Sequence, residues 1–101
     1  MVFIYTTCKD MEEAKKIANL IVKDKMAASV NFWPIESMYL WHGEIRESHS
    51  VAIRIKTLDT KIQVIEDLIL KHHSSTTPFI EVTEVKRINP AYKEWMSNTI
   101  V

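Results

Sequence analysis

Residues 28–56 read ASVNFWPIESMYLWHGEIRESHSVAIRIK, two extended runs that meet at His42-Gly43. Glycine accepts positive φ freely and histidine is enriched there among other residues, so His42-Gly43 between Trp41 and Glu44 predicts a two-residue hairpin loop. The first arm, 28–41, is interrupted at Pro34, which has no ladder N–H and predicts a bulge or an edge position. The second arm ends in a period of two, with Val51, Ile53 and Ile55 facing one way and Ala52, Arg54 and Lys56 the other, so one sheet face is core. Fully extended, residues 28–41 would span roughly 46 Å, against a diameter near ~34 Å for a 100-residue domain. The hairpin must therefore bend or protrude. Its tip carries Met38, Tyr39, Leu40 and Trp41, an apolar load that a lone chain would expose and a partner subunit would cover.

Outward from the hairpin, the pattern is one of alternating strands and helices. Residues 2–7 are β-branched and aromatic, as a buried strand requires. Asp10 stands three residues ahead of Glu13 in a capping-box-like start, and Ala14, Ile17, Ala18, Ile21 and Val22 repeat at helical spacing, which predicts a helix over 11–25. A second helix is expected over 58–72, capped by Thr57 and striped by Ile62, Ile65, Leu68 and Ile69. Pro78 closes the polar stretch behind it. Residues 79–86 read as a fourth strand, bulged at Glu84-Val85. Asn89-Pro90 then offers the cap and first residue of a short helix carrying Tyr92 and Trp95. The order β-α-β-β-α-β-α is that of an α+β, ferredoxin-like split βαβ fold with an antiparallel sheet, in one domain over 1–101.

Composition narrows the function. Thirteen basic and thirteen acidic side chains cancel, so no net field draws the chain to nucleic acid or an anionic membrane. No apolar run approaches the ~20 residues of a membrane span. The one cysteine, Cys8, cannot close an intramolecular disulfide and fits a reducing, cytoplasmic setting. A single glycine leaves no phosphate loop, and no nucleophile-base grouping or H-E-x-x-H is visible, so an enzyme is not expected.

Longer motifs carry a family resemblance. The run Lys25-Met26-Ala27-Ala28-Ser29-Val30-Asn31, then Pro34, then Ser37-Met38-Tyr39-Leu40-Trp41-His42-Gly43-Glu44-Ile45, resembles the CutA pattern K/R-L-A-A-C-V-N, P and S-x-Y-x-W-x-G-x-I. The likeness continues through Ile55-Lys56-Thr57 and Asn89-Pro90-Ala91-Tyr92 with Trp95, over about residues 2–96. It implies a homotrimer with hairpins paired between subunits, a cytoplasmic or organellar location, and a link to tolerance of copper and other divalent cations. It also implies an architecture similar to the trimeric PII signalling proteins, and in some eukaryotic relatives a scaffolding role. Departures fall where the family has His-Pro-Tyr-Glu, here His73-Ser74-Ser75-Thr76, and at Ser29 and Thr6, where cysteines occur; Cys8 lies two residues beyond Thr6.

The candidate sites follow from these residues. His73, the retained histidine, is the expected ligand for Cu(II) or another divalent cation, with Cys8 or Glu44 as further donors; His42, His49 and His72 read as solvated polar groups. Cys8, just before a helix, reads as a small residue with a dipole-lowered pKa. Tyr39, Trp41, Tyr92 and Trp95 would line a small-ligand pocket or, on the plainer reading, anchor an oligomer contact. Tyr39 is expected opposite Arg46, in reach of a cation-π contact. Lys56, before a helix start, is the expected cleft cation for a small anion.

Overall fold

The structure, a computed structural model describing residues 1–101, is built from β1 (Val2–Cys8), α1 (Met11–Lys23), β2 (Ser29–Trp41), β3 (Glu44–Thr57), α2 (Ile62–His72), β4 (Ile80–Glu84) and α3 (Pro90–Thr99). The four strands form one antiparallel sheet in the order β2-β3-β1-β4. This is the expected α+β, split βαβ, ferredoxin-like arrangement.

The period of two in β1 and β3 decides which face the helices cover. Val2, Ile4, Thr6 and Cys8 of β1 are buried alternately with the partly exposed Phe3, Tyr5 and Thr7. Val51, Ile53 and Ile55 lie opposite Cys8, Thr6 and Ile4. Ala14, Ile17 and Ile21 of α1 and Ile65 and Ile69 of α2 close over this face to make the core. Each fully buried isoleucine is worth roughly 1.5 to 3 kcal/mol of transfer free energy. A smaller cluster of Ala28, Met96 and Ile100 fastens α3 to the other end of the sheet, with Leu58, Ile88 and Tyr92 against it.

Local chemistry sets the element ends, and several differ from expectation. The Asp10 carboxylate accepts from the Glu13 amide at 2.9 Å, the expected cap of α1. That helix ends at Lys23 rather than Lys25, because Lys25 takes the left-handed conformation at φ 57°. Its amide donates to the Val22 carbonyl and the Met26 amide donates to the Ile21 carbonyl, both at 3.0 Å, which is a Schellman closure with lysine in the usual glycine place. Thr57 does not cap α2. It is the buried last residue of β3, and its hydroxyl donates to the Met26 carbonyl at 2.6 Å. A single 3₁₀ turn, Asp59–Lys61, leads into α2 instead.

The hairpin forms at His42-Gly43 with φ 49° and 78°, the pair of positive values a type I′ turn requires. Its register runs unbroken from Ser29 opposite Lys56 to Trp41 opposite Glu44, so Pro34 makes no bulge. It stands on the edge strand, where a missing N–H is tolerated. The expected bulge at Glu84-Val85 is also absent: β4 stops at Glu84, and the Val85 amide donates to the Met1 carbonyl at 3.1 Å. Of the two ways to accommodate a long hairpin, the chain protrudes it, giving extents of 47 × 25 × 21 Å.

Candidate functional site

The five residues expected to bind a small ligand fall into two groups. Lys56, Tyr92 and Trp95 come together at the base of the sheet. The Lys56 ammonium lies 5.6 Å from the centre of the Tyr92 ring, the Tyr92 hydroxyl is 3.0 Å from the Ser29 hydroxyl, and the Tyr92 and Trp95 rings are 5.3 Å apart. Ser29 and Lys56 are register partners, so the end of the β2–β3 ladder and α3 build this corner jointly. Tyr39 and Trp41 lie at the other end of β2 and share no pocket with it. Twelve residue steps at ~3.3 Å put Trp41 about 40 Å from Ser29.

At the tip, Trp41 stands edge-on to the His42 ring at 4.7 Å and is otherwise exposed, as are Met38, Leu40 and Ile45. Tyr39 faces Arg46 in the register, but the cation-π contacts form elsewhere: Arg54 stacks over Phe3 at 4.9 Å and over Trp33 at 5.9 Å. With Tyr5, which lies 6.2 Å from Trp33 and 6.3 Å from Phe79, these side chains line the sheet face that α1 and α2 leave open.

His73 belongs to a different and buried constellation. As the C-terminal residue beyond α2, its amide donates to the Ile69 carbonyl at 2.8 Å. Its ring is turned into the seam between β1 and α1, where Nε2 is 2.6 Å from the Thr7 carbonyl and Nδ1 is 2.9 Å from the Ser75 amide. A carbonyl only accepts and an amide only donates, so this ring is neutral with its proton on Nε2. Glu13 lies beside it, Oε1 being 3.9 Å from Nε2. The Glu13 carboxylate accepts from the Lys9 amide at 3.0 Å and the Ser74 amide at 2.9 Å. Burial alone would raise its pKa, but the hydrogen bonds from Lys9 and Ser74 outweigh it and hold the carboxyl below its usual 4.5.

Cys8 completes the group: its thiol and one donor atom each from Glu13 and His73 all lie within 4.8 Å of one another. Desolvation, then the negative charges of Glu13 and Asp10, push the thiol up to about 12. The expected dipole-lowered thiol is thus corrected, because burial, reinforced by the negative charges of Glu13 and Asp10, outweighs the helix field. The neighbouring hydroxyl of Thr6 is fully buried without a hydrogen-bond partner. Of the other histidines, His49 lies 3.5 Å from Glu36 on the exposed hairpin, so neither it, His42 nor Glu44 approaches His73. Glu13 is the member that sequence reading did not anticipate as a donor: its position marks a helix cap, and only the return of the chain after α2 brings it to His73.

Comparison with known proteins bears on all of these residues. A family model described as CutA1 divalent ion tolerance protein matches residues 2–99. The divalent-cation tolerance protein CutA of Archaeoglobus fulgidus is 35% identical over 97% of this chain and 96% of its own. Its structure, described as that of a periplasmic protein, superposes with a TM-score of 0.94, covering 98% of each chain. The CutA1 crystal structure from Pyrococcus horikoshii is 28% identical with a TM-score of 0.95, over 100% of this chain and 99% of that one. A rice protein named CutA 1, chloroplastic, is 29% identical over 97% of this chain and 56% of its own length. The expected cytoplasmic location is overturned here: relatives of this similarity are described as periplasmic or chloroplastic, and a lone buried cysteine does not distinguish among those compartments.

Proposed function

As the chain belongs to the CutA1 divalent ion tolerance family, we propose that it serves divalent-cation tolerance as a non-catalytic homotrimer, each subunit one domain over residues 1–101. The observation that carries the assembly is the hairpin tip, where Met38, Tyr39, Leu40, Trp41 and Ile45 are each between 46% and 73% exposed. A surface of that kind is a contact awaiting a partner. The open sheet face with Tyr5, Trp33 and Phe79 adds a second. Against catalysis stand a thiol held protonated and an imidazole whose two nitrogens are both engaged, which leaves no activated nucleophile. No helix is long and apolar enough to cross a membrane. Light scattering at micromolar concentration is expected to give the mass of three 11.8 kDa chains; the mass of one chain refutes the assembly.

A second reading, a PII-like sensor of a small anion, is favoured by one observation. Lys56 has only the Tyr92 ring against its ammonium group and no carboxylate partner, while of the paired hydroxyls of Ser29 and Tyr92 one donates to the other and the second keeps its proton free to donate beside it. A nucleotide or carboxylate that raises the melting temperature of the native chain, and not that of Lys56→Ala, supports this site. Equal shifts in both proteins remove Lys56 from it.

A further inference from the structure

We propose that the cleft between residues 85–88 and α3, lined by Lys86, Arg87 and Lys93, is a binding site for a phosphoryl group, either free or carried on a small organic molecule. The cleft has a volume of about 270 Å³, and Met1, Val85 and Ile88 complete its lining. It uses none of Lys56, Ser29 and Tyr92, so it stands or falls apart from the sensor reading above. Clefts elsewhere on the chain differ in sign. Glu36, Glu47 and His49 line the one on the hairpin, and three carboxylates stand beside two lysines in the one at the start of α1.

Charge is segregated to this place. The chain as a whole balances thirteen basic against thirteen acidic side chains, yet residues 85–93 hold three cations and no carboxylate. Neither Lys86, Arg87 nor Lys93 has a carboxylate oxygen within 4.0 Å. The acidic residues that flank the segment in sequence are Glu84 and Glu94, and Asp59 is held by the Met1 ammonium group at 2.8 Å. Three like charges around one concavity repel one another, and an anion between them removes that cost.

The backbone here is anchored while its donors stay free. The Val85 amide donates to the Met1 carbonyl at 3.1 Å, and Met1 and Ile88 pack against the cluster of Ala28, Met96 and Ile100. Beyond that anchor the amides of Lys86, Arg87 and Ile88 donate to no backbone carbonyl, so neutral donors stand in the same segment as the charges. An arginine fork matches two phosphate oxygens at once, and lysines add point charges. The apolar residues Met1, Val85 and Ile88 suit the carbon part of an organic phosphate. Nucleic acid asks instead for many phosphate contacts along an extended basic track. One cleft of three cations on a chain of zero net charge favours the small ligand.

The test uses the full chain with inorganic phosphate and glycerol 3-phosphate as probes. Either probe is expected to move the amide resonances of Lys86, Arg87 and Ile88 to saturation at one ligand per chain, with an affinity by calorimetry that falls as salt is added. Arg87→Gln should weaken binding by at least about tenfold, and Arg87→Lys should recover only part of the loss, because lysine restores the charge without the fork. Lys86, Arg87 and Lys93 are exposed, so these variants should keep the native melting temperature. Lys56→Ala should bind as the native chain does. Tighter binding of glycerol 3-phosphate supports the site and assigns it to an ester whose carbons reach the apolar lining; equal binding supports it and assigns it to the free ion. A native chain unmoved by millimolar concentrations of both probes, or bound equally well as Arg87→Gln and Lys93→Gln, overturns the proposal. Binding lost in Lys56→Ala but kept in Arg87→Gln also overturns it and places the anion in the sensor corner instead. A single-stranded oligonucleotide that binds through the same cations more tightly than either probe overturns the small-ligand assignment in favour of a nucleic-acid surface.

Discussion

Trp41→Ala is expected to shift the protein toward smaller species on dilution and to lower its melting temperature sharply. Trp41 sits beside the His42-Gly43 turn at the far end of the molecule's 47 Å axis. Within its own chain it has one aromatic neighbour, His42, and more than half of it is exposed. Nothing in the subunit's own core reaches that far, so a side chain of this size finds burial only against another copy. Large aromatics at the centre of such contacts are common hot spots, and their truncation weakens association by ~2 to 4 kcal/mol. A closed ring repeats the loss at each contact. Because the stability of an oligomer is inseparable from protomer concentration, the melting temperature of the variant should depend on concentration more steeply than that of the native chain. Sedimentation and thermal melting across a dilution series read both effects. A variant that keeps native mass and melting temperature while losing affinity for a metal or small molecule would place Trp41 in a binding site instead.

Much of the architecture is legible in short stretches because its causes are local. The turn at His42-Gly43 needs two positive φ values, and glycine with histidine supplies them. The period of two through residues 51–56 fixes which side chains of β3 meet the helices. Where causes are distant, reading along the chain goes astray. Thr57 has the chemistry of a cap, but the Met26 carbonyl, brought across the sheet end, takes its hydroxyl. Lys25 carries no mark of the left-handed conformation it adopts to close α1. Pro34 is compatible with a bulge or an edge, and only the strand order decides for the edge. The candidate sites divide in the same way. Lys56 is far in sequence from Tyr92 and Trp95 of α3 yet lies beside them, whereas Tyr39 and Trp41 are removed from them by the length of a straight hairpin. His73 stands out by resemblance, with Cys8 as a further donor, but Glu13 does not, because it reads as part of a cap.

Glu13→Gln is expected to destabilise the fold by ~2 to 4 kcal/mol at neutral pH and to remove a component of its acid sensitivity. The Glu13 carboxylate ties three segments: the Lys9 amide before α1, the Ser74 amide after α2, and through His73 the end of β1. Each oxygen accepts from one of those amides. Glutamine keeps the shape but offers one oxygen and one NH₂ group, so one buried amide must face a donor. Hydrogen bonds to a charged group contribute ~1.5 to 3 kcal/mol, and a buried donor left unpaired adds its own desolvation penalty. The sign of the pH effect follows from the carboxyl's folded pKa lying below 4.5. Above 4.5 the group is ionised whether the chain is folded or not, and its stabilisation is fully present. As pH falls through the folded value the native carboxylate is protonated and the contribution is lost. Chemical denaturation of both proteins between neutral and acidic pH should therefore give a gap that is constant above pH 4.5 and narrows below it. A gap that stays constant into acid would mean that the Glu13 charge contributes nothing, and that the Ser74 loop is held by packing alone.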